Sequence, residues 1–207
     1  AYADLFHYSW LNNLVDAPSS GKEYMVEVRH MPTNSCSIGL RYRFREKEIN
    51  QREEAQVSIH SDKMHKLRLQ GNYTIQSAYY LKTSLDVNIH PSLEGNTQYG
   101  WILSQNVGWK KKGVPVQLDS YAAYFQTDDF STRVYSYEKN LLYAFSSSSF
   151  YGKGIRLAFN LRWYVLDKLT LSAKLAWVRY MDREKVGKGL EEIAGCSKTD
   201  LNVNMRW

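Results

Sequence analysis

Two adjacent aspartates, Asp128 and Asp129, with His60 and His65 elsewhere in the chain, are residue types from which a hydrolytic site could be built. A carboxylate that polarises an imidazole lets the ring take a proton from water, and the site would then act as a surface hydrolase. Loop carboxylates and histidines are more often simply solvated, so this reading stands as an alternative. The serine run from Ser146 to Ser149 has no adjacent histidine and reads as a loop tip. His7, His30 and His90 fall at the ends of extended segments without metal-ligand spacing, and no glycine-rich phosphate loop is present. Cys36 and Cys196 are too few and too far apart for a disulfide scaffold or a zinc site. The sequence therefore offers no catalytic set, no metal site and no cofactor, and the expectation is a non-enzymatic chain.

The elements that must position any site are strands, because the dominant signal is period-two alternation. Ile155, Leu157, Phe159, Leu161, Trp163 and Val165 alternate with Arg156, Ala158, Asn160, Arg162 and Tyr164. Leu169 to Trp177 and Leu201 to Trp207 repeat the pattern, as do Ile38 to Arg45, Lys66 to Ile75 and Tyr79 to Ile89. Weaker alternation runs over Leu5 to Leu11, Tyr24 to Met31, Gly100 to Trp109 and Val114 to Phe125. The sequence predicts about ten strands with one greasy and one wet face, in a single domain over residues 1–207. The fold class expected is all-β, an antiparallel up-and-down transmembrane β-barrel or a part of a larger one. No apolar run approaches the eighteen or so residues of a membrane helix, whereas a barrel strand needs only about ten alternating ones. Ala1 is followed by no charged and apolar leader, which reads as a processed chain or a fragment.

Aromatics favour a membrane over a soluble sandwich. Trp101 and Trp109 share a face eight residues apart, which at about 3.3 Å per residue and a tilt near 40° separates them by roughly 20 Å along the membrane normal. The chain closes its last strand on Trp207, on the apolar face. Short turns are expected around Pro32 to Ser35, Gln76-Ser77, Lys110 to Gly113 and Leu166 to Lys168, on the periplasmic side. Longer connections, around Asn12 to Gly21, Glu46 to Lys63, Pro91 to Thr97 and Met181 to Lys198, then fall outside. This parity holds only if Thr127 to Gly154 is one long extracellular excursion, an extended hairpin or a segment folded over the mouth, although Arg133 to Phe145 looks strand-like. Two aromatic girdles result: Tyr73, Tyr79, Trp109, Trp163 and Trp207 at the periplasmic edge, and Trp10, Tyr24, Phe44, Trp101, Tyr124 and Trp177 at the outer edge. The membrane would also separate Cys36 from Cys196, so the two are expected not to pair.

The net charge of +6 is placed by the same map. Arg29, Arg41, Arg43, Arg45, Lys66, Arg68, Lys82, Arg156, Arg162, Lys174 and Arg206 face inward, against fewer acids: Glu27, Asp86, Asp119 and Asp200. An open lumen so lined would favour anions. In a narrow barrel the same side chains instead fill the interior and pair with these acids or with loop carboxylates. Basicity is thus not by itself a nucleic-acid signature.

The run Asp128-Asp129-Phe130-Ser131-Thr132-Arg133-Val134-Tyr135-Ser136-Tyr137-Glu138, continuing into Leu141-Leu142-Tyr143-Ala144-Phe145, is followed by Phe150-Tyr151-Gly152-Lys153-Gly154 and later by Gly187-Lys188-Gly189-Leu190-Glu191-Glu192-Ile193. These segments resemble the C-terminal barrel region of a family of Bacteroidota outer-membrane proteins whose precursors carry N-terminal helix-hairpin-helix repeats related to the competence protein ComEA. The resemblance covers the last two-thirds of the chain, and the first third matches in pattern only. It implies a Gram-negative outer membrane; outer-membrane lipid and lipopolysaccharide are then the expected partners, with other envelope proteins as a further option. It also implies a longer parent, whose missing N-terminal region would have to supply any nucleic-acid contact. The functional expectation is a non-enzymatic outer-membrane pore or a structural subunit of an envelope complex. A DNA-uptake component and the surface hydrolase are its alternatives.

Overall fold

Alternating side chains commit a backbone to strands when one face can be covered and neighbouring strands can satisfy the peptide groups. The computed structural model obeys this throughout. It describes residues 1–9, 15–53, 56–91, 95–135, 137–142, 144, 148–187 and 189–207, with the backbone alone for 51–53 and 56–58. The strands in chain order are β1 (Tyr2–Tyr8), β2 (Ser19–Thr33), β3 (Cys36–Glu53), β4 (Gln56–Ile75), β5 (Tyr79–Pro91), β6 (Thr97–Lys110) and β7 (Val116–Thr127). They continue as β8 (Val134–Tyr135), β9 (Ser149–Phe150), β10 (Lys153–Leu166), β11 (Leu169–Tyr180), β12 (Lys185–Val186), β13 (Ile193–Ala194) and β14 (Ser197–Arg206). No α-helix occurs among the described residues, and 3-10 turns sit at Phe130–Thr132 and Gly189–Glu191.

Ten strands form one antiparallel sheet in the order β1-β2-β3-β4-β5-β6-β7-β10-β11-β14. This is the up-and-down arrangement that the alternation predicts. Among the described residues β1 pairs only with β2 and β14 only with β11, so the sheet is open. The expected short turns are present between β2 and β3, β4 and β5, β6 and β7, and β10 and β11, all on one rim. At the β4–β5 turn Gln76 and Ser77 have φ of 48° and 53°. Two consecutive positive values match the twist of a tight hairpin.

Two expected outside loops take other forms. The described residues of Glu46 to Lys63 are strand, since β3 and β4 stay in register from the pair Cys36 and Tyr73 up to the pair Glu53 and Gln56. Its sequence is mostly polar, with Ile49, Val57 and Ile59 too scattered to alternate, although the backbone ladder continues. The stretch from Thr127 to Gly154 begins and ends on the long-loop rim, as parity requires, because β7 and β10 are direct antiparallel neighbours. Its middle, however, folds inward and lies against one face of the sheet, called here the inner face. Of the strand-like segment, Val134–Tyr135 pairs with Ser149–Phe150 as β8 and β9.

The sheet curls around this loop. In a flat sheet β4 and β11 would stand about 24 Å apart, five steps of about 4.8 Å. Yet Tyr137 lies with its ring 4.1 Å from the Arg68 guanidinium on β4, while the next residue, Glu138, bonds Lys174 on β11. Where the loop enters, Phe125 (fully buried) stacks on Phe150 and meets Tyr180 edge-on, with Ile102, Val134 and Val178 around it. Gly100 is glycine because a Cβ there would occupy the position of the Thr132 carbonyl, so β6 and the loop approach backbone to backbone.

Candidate functional site: a basic inner face occupied by a loop

Cross-strand partners share a face, so the register assigns every side chain. Arg41 opposes Glu27 and Arg68; Arg43 opposes Met25 and Lys66; Arg45 opposes Glu23; Arg29 lies two residues from Glu27. Lys82 opposes Asn72 and Asn106, Arg156 opposes Ala123 and Val178, Arg162 opposes Gln117 and Ser172, Lys174 opposes Asn160 and Asn202, and Arg206 opposes Thr170. All the basic residues expected on the polar face therefore lie on one face, the one that carries the loop.

Like charges directly opposite destabilise a sheet unless something neutralises them. On the β2–β5 wall the neutralisers come from the strands. Arg41 donates through Nε and Nη2 to Glu27 at 2.9 and 2.7 Å, Arg43 donates to Glu23 at 2.6 Å, and Arg68 pairs with Asp86. Tyr2 on β1 adds its hydroxyl to Glu23. Glu23 escaped the sequence reading, although its parity with Glu27 could have revealed it. Of the other expected acids, Asp200 pairs with Lys198 at 3.3 Å. Asp119 accepts from Tyr80 and from Lys139 at 2.7 Å.

On the β10–β11 wall the neutraliser comes from the loop. Glu138, 3% exposed, accepts from Arg156 Nε and Nη2 at 3.0 and 2.7 Å and from Lys174 Nζ at 2.9 Å. The two bases are themselves 6% and 5% exposed. The next residue, Lys139, reaches Asp119, and its carbonyl accepts from Asn160 at 3.3 Å. Asp119 is eight residues along β7 from the rim at Thr127, about 26 Å of strand. The loop thus descends most of the way along the inner face. No periodicity marks Glu138 in the sequence; only the unpaired Arg156 and Lys174 called for a loop carboxylate.

The opposite, outer face carries the apolar set. Val203, Met205 and Trp207 are 71%, 70% and 80% exposed, whereas Lys174 and Arg156 are buried. Tyr24 stacks on Phe44, and Phe44 meets His65 at a tilt with ring centroids 5.0 Å apart, along the long-loop rim, and Trp101 packs on Tyr124 at 5.3 Å. Trp177 belongs to the same end. Toward the short-turn rim lie Tyr73, the opposed pair Tyr79 and Trp109, Trp163 and Trp207. Trp10 lies outside the described residues.

The would-be hydrolytic residues Asp128, Asp129 and His65 are not brought together, and His60 stands on β4 opposite Ile49. Asp128 accepts from the Tyr99 amide at 2.8 Å. Asp129 caps the 3-10 turn at Phe130–Thr132, and hydrogen bonds from the backbone of Phe130 and Ser131 hold its carboxyl below the usual range. His65 lies on the outer face against Tyr42 and Phe44. Of the serine run, Ser146 and Ser147 lie outside the described residues, and Ser149 pairs in β9. Cys36 and Cys196 are free thiols at opposite rims. No group of three or more His, Cys, Asp or Glu among the described residues is placed to hold a metal ion.

No family model and no curated protein matches the chain. Among solved structures it is similar to the copper transporter OprC, with 13% identity and a TM-score of 0.45 over 93% of this chain. That alignment covers 34% of the OprC chain, so this chain spans about a third of its length.

Proposed function

We propose that the chain is the wall of an outer-membrane β-barrel, non-enzymatic, whose interior is constricted by its own inserted loop. The observation that carries this is the inverted distribution of polarity. Asn106, Asp119, Arg156, Asn160 and Lys174 are buried, while Leu103, Leu157, Phe159, Leu175 and Leu201 are exposed. About twenty large apolar side chains stand exposed on the outer face. Covering each with lipid is worth on the order of 1 kcal/mol at half burial, so the face favours a bilayer by roughly 20 kcal/mol. Monomers in water do not leave so large an apolar surface open, and the aromatic rows at both ends match the girdles of outer-membrane barrels.

In hydrocarbon the unpaired peptide groups of β1 and β14 would each cost several kcal/mol. The reading therefore requires both edges to be paired in the membrane, by each other or by further strands. Outer-membrane lipid and lipopolysaccharide are then the partners of the outer face. A structural role in an envelope complex and a pore role share this wall. Temperature-induced detergent phase separation of the full protein tests the membrane reading: it should enter the detergent phase and should show heat-modifiable migration. Recovery in the aqueous phase would refute it. Planar-bilayer recording then separates the two roles, since a pore gives discrete conductance steps and a structural subunit leaves the bilayer sealed.

A further inference from the structure

We propose that the space between the β3–β5 wall and the inserted loop is a binding site for a dissolved oxyanion of the phosphate type. This inference rests on the reading of the inner face as water-facing. Two adjoining chambers of about 380 and 320 Å³ share Arg43, Lys66 and Tyr135. Arg41 and Arg68 flank the deeper chamber, and Arg45 and Arg133 the outer one. Cationic side chains outnumber carboxylates in this lining seven to two.

The carboxylates nearby are already engaged. Glu27 holds Arg41, Glu23 holds Arg43 through Nη2, Asp86 holds Arg68, and Asp62 holds His90 at 2.6 Å. Lys66, Arg45 and Arg133 have no carboxylate within ion-pair distance among the described residues. Arg133 instead rests over the Phe130 ring, and Lys66 points across Tyr135 at 5.8 Å. Arg43 lines both chambers with its side chain 40% exposed, and Glu23 engages it through Nη2 at 2.6 Å. Lys66, Arg45 and Arg133 border the same space as Arg43, and cations gathered around one space repel one another unless an anion occupies it. A tetrahedral oxyanion fits this need: it offers several acceptor oxygens to converging guanidinium and ammonium donors and restores local charge balance. The site lies on the inner face, behind the loop and away from the apolar surface, which selects a dissolved anion over a lipid headgroup.

Equilibrium dialysis of the detergent-solubilised full protein with labelled inorganic phosphate tests this, using Lys66→Gln and a control of equal charge change, Lys168→Gln, in the short turn at the opposite rim. Lys66 has no carboxylate partner, so its neutralisation leaves no acid orphaned. Heat-modifiable migration verifies that each variant is folded, and Arg133→Gln serves as the second variant should Lys66→Gln fail to fold. The expected result is saturable binding by the wild type and by Lys168→Gln, weakened at least tenfold by the cavity substitution. Absence of saturable binding in the wild type would overturn the proposal, as would equal loss in Lys168→Gln, which signals bulk charge attraction. Binding seen only when phospholipid is added to the micelles would overturn the assignment to a dissolved anion. Detergent partition is independent of this result, so failure here leaves the barrel reading standing.

Discussion

Replacing Glu138 by alanine should release the inserted loop from the β10–β11 wall and destabilise the fold by about 3–5 kcal/mol, the usual cost of removing one partner from a buried ion pair. The effect is large because Arg156 and Lys174 would both stay buried after losing this carboxylate. The midpoint of urea unfolding should fall, and limited proteolysis should cut within 133–150 where the wild type resists. If the barrel conducts, single-channel steps should grow as the constriction leaves the interior. An unchanged midpoint and an unchanged digestion pattern would show that Glu138 does not anchor the loop. Acid offers the same test without mutation. Burial raises the Glu138 carboxyl, but hydrogen bonds from Arg156 and Lys174 outweigh it and hold the group below its ordinary value of 4.5. A depressed carboxyl contributes stability that is complete above the unfolded value and is lost as pH falls through the folded one. Loop protection should therefore persist at neutral pH and fade below about pH 4.5, and Glu138→Gln should remove that part of the pH dependence.

The second large effect belongs to the outer face. Leu175 lies near the middle of β11, opposite Phe159 and Leu201, and is 49% exposed. On a soluble sheet, arginine at such a position would change stability by less than about 0.5 kcal/mol. At the midplane of a bilayer it should cost about 2–4 kcal/mol. Leu175→Arg is therefore expected to reduce sharply the amount of folded protein recovered in outer membranes, while Leu175→Ala, which removes bulk without adding charge, should be recovered near the wild-type level. Equal recovery of the two variants would contradict a lipid-facing role for this residue.

How much of this was legible in the sequence depended on whether the two faces of a segment meet different surroundings. Ile155 to Trp163 alternates because one side packs on polar neighbours and the loop while the other stays apolar, so its strand, its two faces and the turn at Asp167-Lys168 could be read directly. Where β3 and β4 extend through Glu46 to Lys63, the sequence is mostly polar and the signal vanishes, although the ladder continues to the pair Glu53 and Gln56. Parity of the turns excluded the 127–154 stretch as a span, because an odd extra strand would have inverted every earlier connection. Parity says nothing of where a loop goes once it has left the rim. The descent to Asp119 depends on long-range pairs such as Glu138 with Lys174, thirty-six residues apart, which leave no local pattern. Closure was equally beyond reach, since alternation in β1 and β14 specifies faces and not edge partners.

The central claim is that odd-numbered residues of strand β10 face lipid and even-numbered residues face the loop-filled interior. Single cysteines placed from 155 to 163, in a background with Cys36 and Cys196 replaced by serine, can be spin-labelled in the membrane-inserted protein. Collision with oxygen, which concentrates in lipid, is then compared with collision with a water-soluble nickel chelate. The expected result is a period-two pattern, with oxygen access maximal at Ile155, Leu157, Phe159, Leu161 and Trp163 and minimal at Arg156, Ala158, Asn160 and Arg162. Equal access to the nickel chelate along the whole strand, or the opposite phase, would contradict it.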